Sequence, residues 1–172
     1  MVDGDGCLYI DYQNYVEYLR KTDFSNVEWA GYRAWIWQTC NEFGNYQTTD
    51  SPITSDNFIG NVLPVNYYVK ICGEIFDSSI SNFTVYKNVQ NTNNLYHGQY
   101  GYNGTKVVFP NGSNDPWHIL GVLSRTNDKT YPIIIDGASH CDDMIPNSAT
   151  DTPALIEARQ KIRSHVLSWV YE

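Results

Sequence analysis

The sequence predicts an α/β fold: a helical first half followed by a last third that carries strands of a parallel sheet. A short β-branched and aromatic run stands at 106–109, and the apolar run at 131–135 is continuous where a half-exposed strand would alternate. Continuous runs suit strands covered on both faces of a parallel sheet. A capped amphipathic helix follows the second run, so strand, loop, helix, strand, loop, helix is the order of the C-terminal part.

Taken in order, residues 1–80 read as mainly helical. Asp11 is placed to cap a helix in which Tyr12, Tyr15, Val16 and Leu19 share one face. A segment dense in aromatics and short of charge follows at 32–44, and a further helix over 61–78 is entered after Pro64. Residues 81–105 read as a polar connector rich in Asn, Thr, Tyr and Gly, with little periodicity. Residues 106–172 form the α/β segment. Its first strand is expected to end at Pro110, and a short helix is expected within 118–123. In the last helix, Thr152 or Asp151 is the cap, Pro153 sits in the first turn, and Leu155, Ala158, Ile162, Val166 and Trp169 make an apolar stripe.

Composition narrows the function classes. The chain has 172 residues, 42% of them hydrophobic and 17% charged, with a formal net charge of −8. An acidic chain without a Lys/Arg block is a poor partner for nucleic acid, whose phosphates need clustered cations. No apolar run approaches the roughly 20 residues of a membrane span. Cys7, Cys40, Cys72 and Cys141 are widely spaced with no CxxC pair, which argues against zinc and leaves three pairings open. Cys40 or Cys141 would stay single if its partner lay outside this sequence. Sequons begin at Asn82, Asn103 and Asn111. Cysteines, sequons and acidity fit a secretory or lysosomal protein, yet the opening Met-Val-Asp-Gly-Asp-Gly lacks the basic start and apolar core of a signal peptide.

Chemistry enters at the strand ends. Asp115 lies just past the first strand and His140 just past the second, where ligands sit in such sheets. An Asp and then a His in this order are the last two members of a Ser…Asp…His triad on an α/β-hydrolase sheet. In a triad the His takes the serine proton and returns it to the leaving group, while the Asp holds the imidazole in the needed tautomer. The plainer reading is an ordinary loop Asp and an ordinary loop His.

The surrounding residues favour the triad. Phe109-Pro110-Asn111-Gly112-Ser113-Asn114-Asp115-Pro116-Trp117-His118 and Asp136-Gly137-Ala138-Ser139-His140-Cys141 resemble the Asp and His segments of one serine peptidase family. That family includes prolyl carboxypeptidase, dipeptidyl peptidase II and thymus-specific serine protease. Trp35-Ile36-Trp37-Gln38-Thr39-Cys40-Asn41-Glu42-Phe43-Gly44 is similar to a third family segment, and the likeness is greatest to the thymus-specific branch. The resemblance implies that Asp115 is the triad acid and His140 the general base of an exopeptidase that needs no cofactor. It implies an α/β-hydrolase core with a helical cap: residues 1–80 the end of the cap and the return to the core, 106–172 the last strands and helices. It implies a lysosomal, vesicular or secreted glycoprotein acting on peptide substrates.

One departure stands against activity. No G-x-S-x-G elbow occurs in the sequence. Ser139 comes nearest, but it abuts His140 and belongs to the His loop. The chain is therefore expected to be the Asp–His end of a larger enzyme, inactive by itself. The other class is non-enzymatic: a truncated relative, or an aromatic-rich module that binds peptides or glycans.

The remaining candidates carry two readings each. Glu42 binds a substrate amine or is a structural carboxylate bonded to backbone amides. Trp35, Trp37 and Trp117 line a proline-accepting pocket or are plain core. His118 reads as a helix-start residue, and His97 and His165 as solvent-facing. His140-Cys141-Asp142-Asp143 suggests a metal only superficially, because adjacent residues cannot all point at one ion. No metal and no cofactor are expected.

Overall fold

Asp11 opens helix α1 (Tyr12–Arg20) by accepting a hydrogen bond from the Asn14 N–H at 3.1 Å, which satisfies one of the helix's otherwise unpaired donors. The computed structural model describes residues 11–51 and 59–172, and it divides into two compact units, Met1–Asn93 and Asn94–Glu172. Cys7 lies outside the described residues.

In the first unit α1 packs against α3 (Val65–Ile75), which starts directly after Pro64. Val16 and Leu19 meet Ile71 and Ile75 in a small core, flanked by Tyr12, Tyr15, Trp29, Ile36 and Phe76. Spacings of three and four residues put each pair on one helical face, so the apolar spacing alone dictates which faces meet. Polar ties fix the register: the Tyr12 hydroxyl donates to the Glu74 carboxylate at 2.8 Å, and Arg33 Nε donates to the Leu19 carbonyl at 2.8 Å. Helix α2 (Val27–Gln38), capped by the Asn26 side chain, runs into a π-helical turn, Thr39–Phe43. Cys40 in that turn is buried and bonded to Cys72 of α3.

The stretch 81–105 is more ordered than its composition suggests. It holds α4 (Asn82–Tyr96) and the single turn α5 (Gly98–Gly101). A reciprocal cap starts α4: the Ser81 N–H donates to Thr84 Oγ1 at 2.8 Å, and the Thr84 N–H to Ser81 Oγ at 3.4 Å. Val85 is its only buried residue, and with half-buried Val89 it lies against Gly44, a short stripe where a longer periodic apolar face would be.

In the second unit β1 (Val107–Gly112) pairs in parallel with β2 (Thr130–Ile135), Val107 opposite Thr130 and Gly112 opposite Ile135. Strand β1 thus continues through Pro110, where the sequence suggested an end. A proline is tolerated in a strand with an open edge, and among the described residues this sheet has two strands. The expected short helix is a 3₁₀ turn at Pro116–Leu120, beginning earlier because Asp115 caps it and Pro116 fills its first position.

Helix α6 (Pro153–Val170) covers the sheet through Leu155 and Ala158, which pack on Ile135 and Ala138. Thr152 is its cap, and the alternative, Asp151, pairs with Arg159 instead. Only the first half of the expected stripe is buried; Ile162 and Trp169 are half-buried and Val166 is exposed, because the two-stranded sheet ends before the helix does. His165 is not solvent-facing: its ring lies 3.9 Å from that of Tyr131 and 5.9 Å from that of Trp169. His97 is exposed. Among the described residues no helix is long and apolar enough to cross a membrane.

Candidate active site

Two loops leave the carboxyl ends of two neighbouring parallel strands, and each carries one polar side chain to the same place. After β1 the chain turns through Ser113 and Asn114 into Asp115. That carboxylate is used twice, by the Trp117 N–H on Oδ1 at 2.9 Å and by His140 Nδ1 on Oδ2 at 2.7 Å. An ionised carboxylate only accepts, so this contact holds the proton on Nδ1 and leaves Nε2 as the basic nitrogen. The two side chains differ in exposure: Asp115 shows 11% of its surface and His140 61%. The carboxylate is thus enclosed, while the imidazole it bonds is open to solvent.

Electrostatics follow the geometry. Burial pushes the Asp115 carboxyl up, but the His140 hydrogen bond, the Trp117 N–H and the charges of His140 and His118 outweigh it and hold the group below the ordinary carboxylate value. Asp115 therefore stays ionised at neutral pH. His118 Nδ1 lies 2.5 Å from the Asp115 carbonyl oxygen, which places it in the 3₁₀ turn as a local brace. The Trp117 ring lies 5.5 Å from the His140 ring at 60°.

The loops are also joined to each other through their backbones. The Ser113 N–H donates to the Ile135 carbonyl at 3.0 Å and the Asn114 N–H to the Ala138 carbonyl at 2.9 Å. Asn114 Nδ2 reaches the Gly137 carbonyl at 3.1 Å, and the Gly137 N–H reaches Ser113 Oγ at 2.8 Å. Gly137 takes the left-handed turn this path requires, at φ 73°. The Asn-Gly-Ser-Asn run thus forms the seam between the Asp loop and the His loop.

The other candidates do different work. Trp35, Trp37 and Glu42 belong to the first unit. Trp35 packs on Phe43 and Trp37 on Phe76, but both indoles remain nearly half exposed, so neither is plain core. Glu42 is exposed on the π-helical turn. The Ser139 N–H donates to Asp142 Oδ2, which puts it in the His loop's own turn. Among the described cysteines, Cys40 and Cys72 are bonded, whereas Cys141 is a free, exposed thiol. Asn82 and Asn103 are exposed, whereas Asn111 lies in β1 with Nδ2 donating to the Phe109 carbonyl at 3.0 Å. Among the described residues no group of three His, Cys, Asp or Glu is placed to hold a metal ion.

Arg159 escaped the sequence reading. Its signal was faint: four residues after Leu155 and one after Ala158, it borders the apolar stripe of α6, where a long cation is easily taken for a solvated flank.

The profile of the serine carboxypeptidase S28 family matches residues 3–162, and the chain belongs to that family. A Caenorhabditis elegans relative whose name includes the words serine protease is 37% identical over 168 residues, covering 96% of this chain and 32% of the relative. The thymus-specific serine proteases of Homo sapiens and Mus musculus are each 34% identical, over 97% of this chain and 31% of their own length. The chain therefore spans about a third of the length of the curated relatives it matches. No solved structure matches the chain significantly.

Proposed function

We propose that residues 106–172 are the C-terminal segment of an α/β-hydrolase core, and that Asp115 and His140 are the acid and the general base of a Ser–Asp–His triad for peptide cleavage. The observation that carries this reading is the 2.7 Å contact between His140 Nδ1 and Asp115 Oδ2 at the ends of adjacent parallel strands. In the reaction, Nε2 of His140 accepts the serine hydroxyl proton as the oxygen attacks the scissile carbonyl. The same nitrogen then delivers that proton to the leaving amine. Asp115 stays ionised throughout and stabilises the imidazolium that forms between the two transfers. No metal or cofactor takes part in these steps.

Family membership supports peptides as substrates, with an exopeptidase of the dipeptidyl-peptidase or prolyl-carboxypeptidase kind as the finer reading. Residues 1–80 are then the end of a helical cap, and 81–105 the connector from it to the core. The Cys40–Cys72 bond and the acidic, sequon-bearing sequence support a secreted, vesicular or lysosomal setting.

These 172 residues contain no G-x-S-x-G. Removing the nucleophile alone costs on the order of 10⁶ in turnover in a triad enzyme. We therefore expect no peptide hydrolysis from these residues by themselves. Expression of the chain with a fluorophosphonate probe and a peptide substrate tests this: no labelling and no turnover are expected, and labelling would overturn it.

The half-exposed indoles of Trp35 and Trp37 favour one second reading, a surface that binds peptides or glycans without chemistry. Titration of the chain with peptides and oligosaccharides, read by tryptophan fluorescence, separates the two. Binding that survives replacement of Asp115 and His140 but not of Trp35 would support the second.

A further inference from the structure

The turn that carries His140 has little to hold it by burial. Met144 and Ile145, its large apolar residues, are 78% and 56% exposed. Cys141 has a left-handed φ of 61° and its thiol is free and exposed, so no disulfide anchors the turn there. Local hydrogen bonds close the turn on itself: the Ser139 N–H donates to Asp142 Oδ2 at 2.6 Å, and the Met144 N–H to the Cys141 carbonyl at 2.9 Å. Closing a turn does not fix where it sits. The bonds of Ser113 and Asn114 to Gly137 and Ala138 hold the stretch before His140, and one side chain from the helix beneath holds the stretch after it.

Arg159 of α6 spends its whole guanidinium on this loop. Nη2 donates to the Asp142 carbonyl at 2.6 Å and to the Ile145 carbonyl at 2.8 Å, and Nε donates to the Asp143 carbonyl at 3.1 Å. Nη1 reaches Asn147 Oδ1 at 3.0 Å and Asp151 Oδ2 at 2.5 Å. The Arg159 and Asp151 side chains are 16% and 11% exposed, so the bonds to Asp142, Asp143 and Asp151 are partly shielded from water, while those to Ile145 and Asn147 lie at the surface. Ala158, the preceding residue, is locked against Ile135 and Ala138 in the core under β2. The base of Arg159 is thus fixed to the strand that leads to His140, and its tip to the turn that follows His140.

We infer that Arg159 is the positioning residue for His140: its planar fork sets the turn at 142–145 at the height that lets the imidazole meet Asp115. This inference rests on the reading of Asp115 and His140 as an acid–base pair. A planar, five-donor group suits the task because three carbonyls and two side-chain oxygens lie around it; a lysine ammonium has three donors on one point and cannot span them. With the guanidinium gone, the carbonyls lose their shared partner and the turn drifts by more than the few tenths of an ångström that a hydrogen bond tolerates.

The readout is the tautomer of His140 in the ¹⁵N-labelled full chain, taken from two-bond proton–nitrogen correlations at neutral pH. Nδ1–H is expected to dominate in the unaltered chain. In Arg159→Met it is expected to give way to the Nε2–H form that an unconstrained imidazole favours, while the Ile135 and Leu155 methyl signals stay in place. A folded Arg159→Met that keeps Nδ1–H overturns the inference. Should that variant not fold, Arg159→Lys, which keeps charge and helix propensity, decides the matter by the same criterion. Asp115→Ala separates this inference from the reading beneath it. If Nδ1–H persists in Asp115→Ala, the pair itself fails; if it is lost there but kept in Arg159→Met, only the role of Arg159 fails.

Discussion

Gly112 and Ala138 approach so closely that a Cβ on Gly112 would lie 2.5 Å from the Ala138 carbonyl oxygen and 2.6 Å from that of Ser139. Both are backbone atoms of the His loop, so neither can swing aside as the end of a side chain would. The glycine at the end of β1 is therefore part of the spacing between Asp115 and His140, although it touches neither ring nor carboxylate.

Gly112→Ala should displace the His loop. The expected cost is about 1–3 kcal/mol, the range for forcing extra atoms into a filled space. Urea denaturation measures the loss. The same sample should lose the Nδ1–H tautomer of His140, and a variant with unchanged stability and tautomer would contradict the account of the seam.

Asp115 should make stability depend on acid. Its folded-state pKa lies below the ordinary value near 3.9, so its contribution is fully present above that pH. The contribution is lost as pH falls through the lower folded-state value. Denaturation midpoints of the chain and of Asp115→Ala should differ at pH 6 and converge toward pH 2; a constant difference across that window would refute the linkage.

Reducing Cys40–Cys72 should loosen the first unit. The bond closes a loop with a sequence separation of 32, for which chain entropy gives roughly 3–4 kcal/mol. Cys72→Ala, or the chain with reductant, should melt earlier in a thermal scan followed by tryptophan fluorescence, since Trp29 and Trp37 report on that unit. An unchanged midpoint would show that the helices hold without the bond.

Glycan occupancy should separate the three sequons. Asn82 and Asn103 are exposed and open to the transferase, whereas the Asn111 amide is committed to the Phe109 carbonyl inside β1. Secretion from eukaryotic cells followed by site-resolved mass spectrometry should find sugar on the first two and none on Asn111.

Legibility tracked the range of the forces involved. Helix α1 and its Asp11 cap could be read because spacing and capping act within one turn, and β2 because the unbroken apolar run 131–135 marks a strand. With Ile134 half exposed, β2 is not covered on both faces as the run suggested. Helix α4 could not be read as such: its start rests on a Ser81–Thr84 exchange and its packing on little more than Val85 and Val89, too short a stripe for a periodic signal. Pro110 misled because a proline's effect depends on which side of the strand has a neighbour, a tertiary fact. The order Asp115 then His140 was plain along the chain. The bonds of Asn114 to Gly137 and of Arg159 to Asp142 join residues far apart in sequence, and no local pattern announces them.

The stitching of the two loops also changes the size of the assembly problem. Three catalytic groups set independently would have to be aligned against one another, three separations at once. Here Asp115 and His140 are held relative to one another within this segment, by the Ser113–Gly137 and Asn114–Ala138 bonds before His140 and by Arg159 after it. In the proposed triad, a serine then has only to be placed against Nε2 of His140, since one of the three separations is already set within this segment.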